Sequence, residues 1–158
     1  MPAEPLLTAA LDHVRRTLST IDAQLAALDT SQAGETKSSA GDKFETSREM
    51  MQQERDRLEV QRAVAREQYL QITLAERAAR ARSGAGEGVM DVGLGSEVTL
   101  GNGERYLVAA AVGRLRSDEG GKAHAISVES PLARALWGRS VGEVVVFRGR
   151  SLTIASVN

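Results

Sequence analysis

Two runs of heptad-spaced apolar residues, separated by a polar segment without proline, limit what this chain can become. In the first, Leu7, Leu11, Val14, Leu18, Ile21, Leu25 and Leu28 recur in alternating steps of four and three. That is the rhythm of a helix with one apolar seam. Asp12, Arg15, Arg16 and Asp22 fall off the seam, and the run reads as ending at Asp29-Thr30-Ser31. The second run extends from about Asp42 to Arg82, with Met51, Leu58, Ala65, Ile72 and Ala79 in one row. Its companion row reads Glu54, Gln61 and Gln68, with Tyr69 and Leu70 nearby. One strong seam and one mixed seam suit an antiparallel coiled-coil hairpin over residues 1–83, with its tip at about 35–45. At 1.5 Å per residue, an arm of about 35 residues is roughly 50 Å long. It buries little area per residue and needs a globular base.

The glycine-rich stretch Ser83–Gly88 reads as a linker, and beyond it the apolar period falls from helical to two. Ser96–Leu100 is a candidate strand, and Gly101-Asn102-Gly103 is a hairpin signal returning Arg105–Val112 beside it. Ala123–Val128 reads as a further strand. Ser130-Pro131 opens a short helix ending at Trp137-Gly138, with proline suited to the first turn. Glu143–Phe147 and Leu152–Val157 complete the set, joined by a tight turn at Arg148–Ser151. The fold class is therefore α+β: a helical hairpin, then a small antiparallel domain over 84–158 with about five strands and one short helix.

Composition removes several classes of function. Cysteine is absent from the 158 residues, which excludes disulfides, thiolate metal sites and a thiol nucleophile. Only His13 and His124 carry imidazole, so a catalytic triad or multi-histidine metal site is not expected. A formal net charge of -1 and 3% aromatic residues argue against a free-standing nucleic-acid binder. Met-Pro-Ala-Glu has no signal-peptide pattern, and no stretch approaches the ~20 apolar residues of a bilayer span. The expectation is a cytoplasmic monomer with no membrane partner.

The tip carries the residues with chemistry. Gly41-Asp42 is followed by Glu45, two carboxylates at helical spacing, with Lys37, Lys43 and Arg48 around them. Asp-x-x-Glu is also a helix capping box, and basic loop residues are ordinarily solvated. Both pairs of readings stand. Gly93-Leu94-Gly95 reads as a strand-entry turn, since a phosphate loop needs a further glycine and a following helix. His124 reads as a strand residue. Trp137 reads most simply as core, with an exposed partner-facing edge as the alternative.

The run Ile126-Ser-Val-Glu-Ser-Pro-Leu-Ala-Arg-Ala-Leu-Trp-Gly-Arg-Ser-Val-Gly-Glu-Val-Val-Val146 resembles the C-terminal domain of bacterial Gre transcript-cleavage factors. Gly95–Leu100 resembles the start of that domain, and Gly41-Asp42-x-x-Glu45 the acidic motif at the family's coiled-coil tip. The resemblance implies an FKBP-like C-terminal domain that docks on RNA polymerase through Ser130, Pro131, Arg134 and Trp137. It implies a tip entering the polymerase secondary channel, where Asp42 and Glu45 help hold Mg²⁺ and the nascent RNA 3′ end is cleaved. Lys37, Lys43 and Arg48 would contact phosphates there. The chain is then no enzyme itself but a stimulator of the polymerase's own cleavage. Where the family continues after Glu45 with Asn, Ala, an acid and Tyr, this chain has Thr46-Ser47-Arg48-Glu49. That departure keeps a second expectation open, a non-cleaving secondary-channel regulator. Prolyl isomerase activity is not expected, because Tyr106, Trp137 and Phe147 are a thin aromatic lining for such a pocket.

Overall fold

The computed structural model describes residues 4–35, 41–86 and 88–158, with the side chains of 32–35 and 41–44 outside that description. Helices α1 (Glu4–Glu35) and α2 (Gly41–Ser83) come first. Strands β1 (Glu97–Leu100), β2 (Arg105–Ala109), β3 (Gly113–Arg116) and β4 (Lys122–Ser127) follow, then α3 (Pro131–Leu136), β5 (Val144–Phe147) and β6 (Arg150–Val157). α1 runs past Ser31 to Glu35, because Gln32-Ala33-Gly34-Glu35 contains no proline to stop it.

The chain packs as two compact units, Val14–Glu67 and a second formed by Met1–His13 with Gln68–Asn158. In the first unit the helices pair as the seam requires. Val14, Ile21 and Leu25 of α1 and Leu58 and Ala65 of α2 are buried. The companion row of α2 is not Glu54 and Gln61 but Arg55 and Arg62, both half-buried. Their alkyl stems lie along the seam while the guanidinium groups reach α1. Arg55 pairs with Asp29, and Arg62 Nε lies 3.0 Å from Asp22 Oδ1. Seven residues forward on α1 matches seven back on α2, as an antiparallel pair requires.

The second unit holds a six-stranded sheet of order β3-β4-β2-β1-β6-β5. Two expectations are corrected here. β3, Gly113-Arg-Leu-Arg116, is a sixth strand whose single apolar residue hid its alternation. β2 and β4 pair in parallel, Tyr106 opposite His124 through Ala109 opposite Ser127, so the sheet is mixed. β4 lies between β2 and β3, which places the β3–β4 hairpin at one edge.

Alternation buries one sheet face and, across β2, β3 and β4, part of the other. Val98, Leu100, Val108, Val145, Ile154 and Val157 form one core with Ala133 and Leu136 of α3. On the other face Leu107, Leu115, Ala123 and Ala125 are buried, and Leu6, Leu7, Ala10, Ile72 and Ala75 are buried at the helix ends of the same unit. Burying a leucine or isoleucine stabilises by about 1.5–3 kcal/mol, so these few residues hold the unit. The β1–β2 turn spans Gly101–Gly103, with the Gly103 N–H donating to Leu100 O at 2.9 Å and only Gly103 at positive φ (87°). It is a three-residue hairpin loop, not a two-residue Asn-Gly turn.

Candidate functional site

The short helix α3 is built to a tight local specification. Ser130 stays extended at φ -63° and ψ 145°, and its Oγ accepts from the Ala133 N–H at 3.2 Å. This satisfies one of the unpaired amides of the first turn. Pro131 then occupies a position where no amide is needed. At the far end the Trp137 N–H donates to Ala133 O at 2.9 Å, and Gly138 turns the chain at φ 72°. Gly138 N–H donates to Val92 O at 2.8 Å and Val92 N–H to Arg139 O at 2.9 Å, which locks the helix to the segment before β1.

Six residues leave α3 two faces. Ala133 and Leu136 point into the core, each at 0% exposure, while Arg134 and Trp137 point out. Trp137 is 49% exposed, so its place is the edge and not the core. Spacing decided against the core: positions 133 and 136 share the inward face, and 137 ends the helix as its cap. Beside it opens a groove of about 590 Å³ lined by Leu74, Leu94, Val128, Glu129, Arg134 and Trp137 among others. Leu74 and Val128 stay exposed at 54% and 37%. The sequence reading missed these two. Their signal was available, since Leu74 is a large apolar residue off the α2 seam and Val128 directly precedes Glu129-Ser130.

The groove's back wall is fixed by the chain that enters β1. Gly95 has φ 82°, and a Cβ there would lie 2.2 Å from the Ala75 carbonyl oxygen of α2. Arg82 donates to the Leu94 carbonyl, and burial pulls its guanidinium below the ordinary arginine range. Gln68 Nε2 donates to Ala111 O at 3.0 Å. The stretch Gly93-Leu94-Gly95 is thus the expected strand-entry turn, pressed against α2.

The second set of residues lies at the start of α2. Asp42, Lys43 and Glu45 fall within its first five residues, where the helix dipole favours carboxylates. Glu45 and Arg48 are exposed. Lys37 lies outside the described residues, as do the side chains of Asp42 and Lys43. Among the described residues no group of three or more His, Asp or Glu side chains is placed to hold a metal. Asp42 and Glu45 are three residues apart in sequence, and carboxylates are hard oxygen donors. They can supply part of a Mg²⁺ coordination sphere and not all of it, since Mg²⁺ takes six ligands.

Residues 89–158 match the family model described as transcription elongation factor, GreA/GreB, C-terminal. That stretch is similar to the C-terminal domain of Gre factors. The match spans the capped helix α3 and every strand. No curated protein matches the chain. A solved structure described as that of the transcription factor Gfh1 is similar, at 22% identity over 94% of this chain and 93% of that one, with a TM-score of 0.33. No helix among the described residues is long and apolar enough to cross a membrane. Within residues 89–158, the candidate docking residues Ser130, Pro131, Arg134 and Trp137 are brought together on one short element. Asp42, Lys43 and Glu45 belong to the start of α2, in the unit Val14–Glu67.

Proposed function

We propose that this protein is a Gre-type factor that docks on bacterial RNA polymerase through α3 and its groove and presents the start of α2 in the secondary channel. The observation that carries this reading is the Gre-family match over 89–158, which includes the Ser130-capped helix. The exposed Trp137 supports it, because an indole at half exposure beside an apolar groove is the composition of an interface anchor. Arg134 and Glu129 at the groove rim supply polar register.

In this reading Asp42 and Glu45 stimulate the polymerase's own hydrolysis of backtracked RNA. Asp42 and Glu45 would hold Mg²⁺ together with groups of the polymerase, and the ion would supply water activation and charge stabilisation there. The chain's own contribution is to position two carboxylates on the first turn of a long helix. Glu45 and Arg48 are exposed there, so partner groups can complete the site. Lys37, Lys43 and Arg48 contact the phosphates of the RNA 3′ end.

One observation favours a second reading. Position 48 carries Arg where the family motif has an acid, and Glu49 stands where it has Tyr. A tip so altered fits a regulator that occupies the channel without supporting cleavage.

A stalled, backtracked polymerase complex with Mg²⁺ separates the two. Cleavage stimulated by the wild type and lost in Asp42→Ala/Glu45→Ala, with binding retained, supports the first reading. Binding without stimulated cleavage by the wild type selects the second. Trp137→Ala should weaken polymerase binding about tenfold or more, the loss of a central aromatic anchor. Unchanged binding in that variant removes the docking assignment.

A further inference from the structure

A second concave surface lies at the opposite end of the strand order from β5, on the β3–β4 edge, and neither α3 nor the tip contributes to it. It encloses about 290 Å³ and is lined by Gly103, Glu104, Arg105, Arg114, Leu115, Arg116, Lys122, Ala123 and His124. Alternation sorts these residues. Leu115 and Ala123 are buried on one face, while Arg114, Arg116, Lys122 and His124 project together on the other.

The charges there are poorly matched internally. Arg116 lies directly opposite Lys122, and Arg114 opposite His124. Like charges facing each other across an antiparallel pair are destabilising. Arg105 is neutralised by Glu97, to which its Nε donates at 2.8 Å. Among the described residues Arg114, Arg116 and Lys122 have no such partner. The carboxylate in the lining, Glu104, is engaged by the Tyr106 hydroxyl at 3.1 Å and by Asn102 Nδ2 at 2.9 Å, and Asp118 and Glu119 stand outside the lining in the β3–β4 turn. Tyr106 faces His124 across the parallel pair, with ring centroids 5.9 Å apart and planes tilted by 32°. His124 is exposed, so its outer ring face is open.

From this we infer that the β3–β4 edge binds the phosphate backbone of an unpaired nucleic-acid strand, with Arg114, Arg116 and Lys122 on phosphates and the Tyr106–His124 ring pair as a stacking platform. Charge complementarity selects a polyanion, and the ring pair selects one with exposed bases over an acidic polypeptide. A four-residue strand spans only about 13 Å, which suits a few nucleotides of one strand better than a duplex groove. The inference does not depend on polymerase, and it sets this local cluster of cations against the whole-chain charge of -1 that argues against a free-standing nucleic-acid binder.

The test is fluorescence anisotropy of the full chain with a labelled, unstructured 20-nucleotide RNA across a salt series. Three phosphate contacts give a slope of log K against log salt of about -2, hence roughly 20-fold weaker binding at 200 mM than at 50 mM salt. Arg114→Gln/Arg116→Gln/Lys122→Gln should flatten that slope to near zero and weaken binding at 50 mM salt tenfold or more. His124→Ala should weaken binding without changing the slope. Arg148→Gln/Arg150→Gln, at the far edge of the sheet, should change neither, and thermal melts confirm that each variant is folded. The inference is overturned if RNA fails to bind saturably at 50 mM salt, or if the triple variant binds as the wild type does. Polyglutamate competing as well as RNA would assign the surface to an acidic protein instead. Duplex RNA binding more tightly than single-stranded RNA would also overturn it. If the triple variant self-associates and the wild type ignores RNA, the arginines only guard an open sheet edge.

Discussion

Gly95 shows how a single position can be held by two constraints at once. Its φ of 82° is a conformation that side chains resist, and the space a Cβ would need is filled by the Ala75 carbonyl. The backbone oxygen of a helix cannot swing aside as a side-chain end can. Gly95→Ala should therefore cost about 3 kcal/mol, combining left-handed strain with overpacking. Urea denaturation reads this directly. Gly103→Ala is the matched control: its φ is similar, but nothing lies within 4 Å of the added Cβ, so only the strain term should appear. Equal losses at the two positions would show that the close approach to α2 contributes nothing. The sequence announced Gly95 as a turn residue, but the neighbour that forbids a side chain is twenty residues away in the chain and could not be read from spacing.

Among the elements, those set by local periodicity were legible and those set by partners were not. The row Met51, Leu58, Ala65, Ile72 and Ala79 is the inward row of α2, and Ser130-Pro131 opens α3 as its chemistry demands. The companion row was obscured because Arg55 and Arg62 count as polar in any pattern, although their stems are half-buried. The same arginines suggest a stability test. Arg62 Nε is buried and makes no hydrogen bond of good geometry, and its Asp22 partner is largely exposed. Such a pair contributes at most about 1 kcal/mol. A leucine would continue the apolar seam, so Arg62→Leu should leave stability unchanged or raise it by about 1 kcal/mol. A large loss would mean that the ion pair sets the register.

β2 and its parallel partner β4 were unreadable for a different reason, since pairing across an intervening strand leaves no local mark. One consequence can be measured. Burial, and secondly the hydrogen bond to Glu104, raise the Tyr106 phenol above its ordinary value near 10. The folded state thus favours the neutral phenol. Its contribution is fully present below about pH 10 and is lost as pH rises through the raised folded value. Stability followed by denaturation from pH 9 to 11 should fall less steeply in Tyr106→Phe than in the wild type. Parallel curves would show that the phenol contributes no linkage.

At the scale of the whole molecule, the units defined by packing cut across both long helices. Met1–His13 and Gln68–Ser83 belong with the sheet, and Val14–Glu67 forms the other unit. Leu107, Leu115, Ala123 and Ala125 on one sheet face are buried, as are Leu6, Leu7, Ala10, Ile72 and Ala75 at the helix ends. A fragment starting after the Ser83–Gly88 glycines lacks all five helical residues and also the Ala75–Gly95 and Arg82–Leu94 contacts. At about 1.5–3 kcal/mol for each large apolar side chain, that loss rivals the whole stability of a small domain. His13 and Gln68 are close in the antiparallel register, so a short Gly-Ser loop can replace Val14–Glu67. The shortened chain should melt cooperatively and keep α3, its groove and polymerase binding while losing any action of the tip. Residues 84–158 alone should melt at lower temperature or without a cooperative transition. If both fragments melt alike, the helix ends are passengers on the sheet. If the shortened chain folds but no longer binds polymerase, the docking surface extends into the unit that was removed.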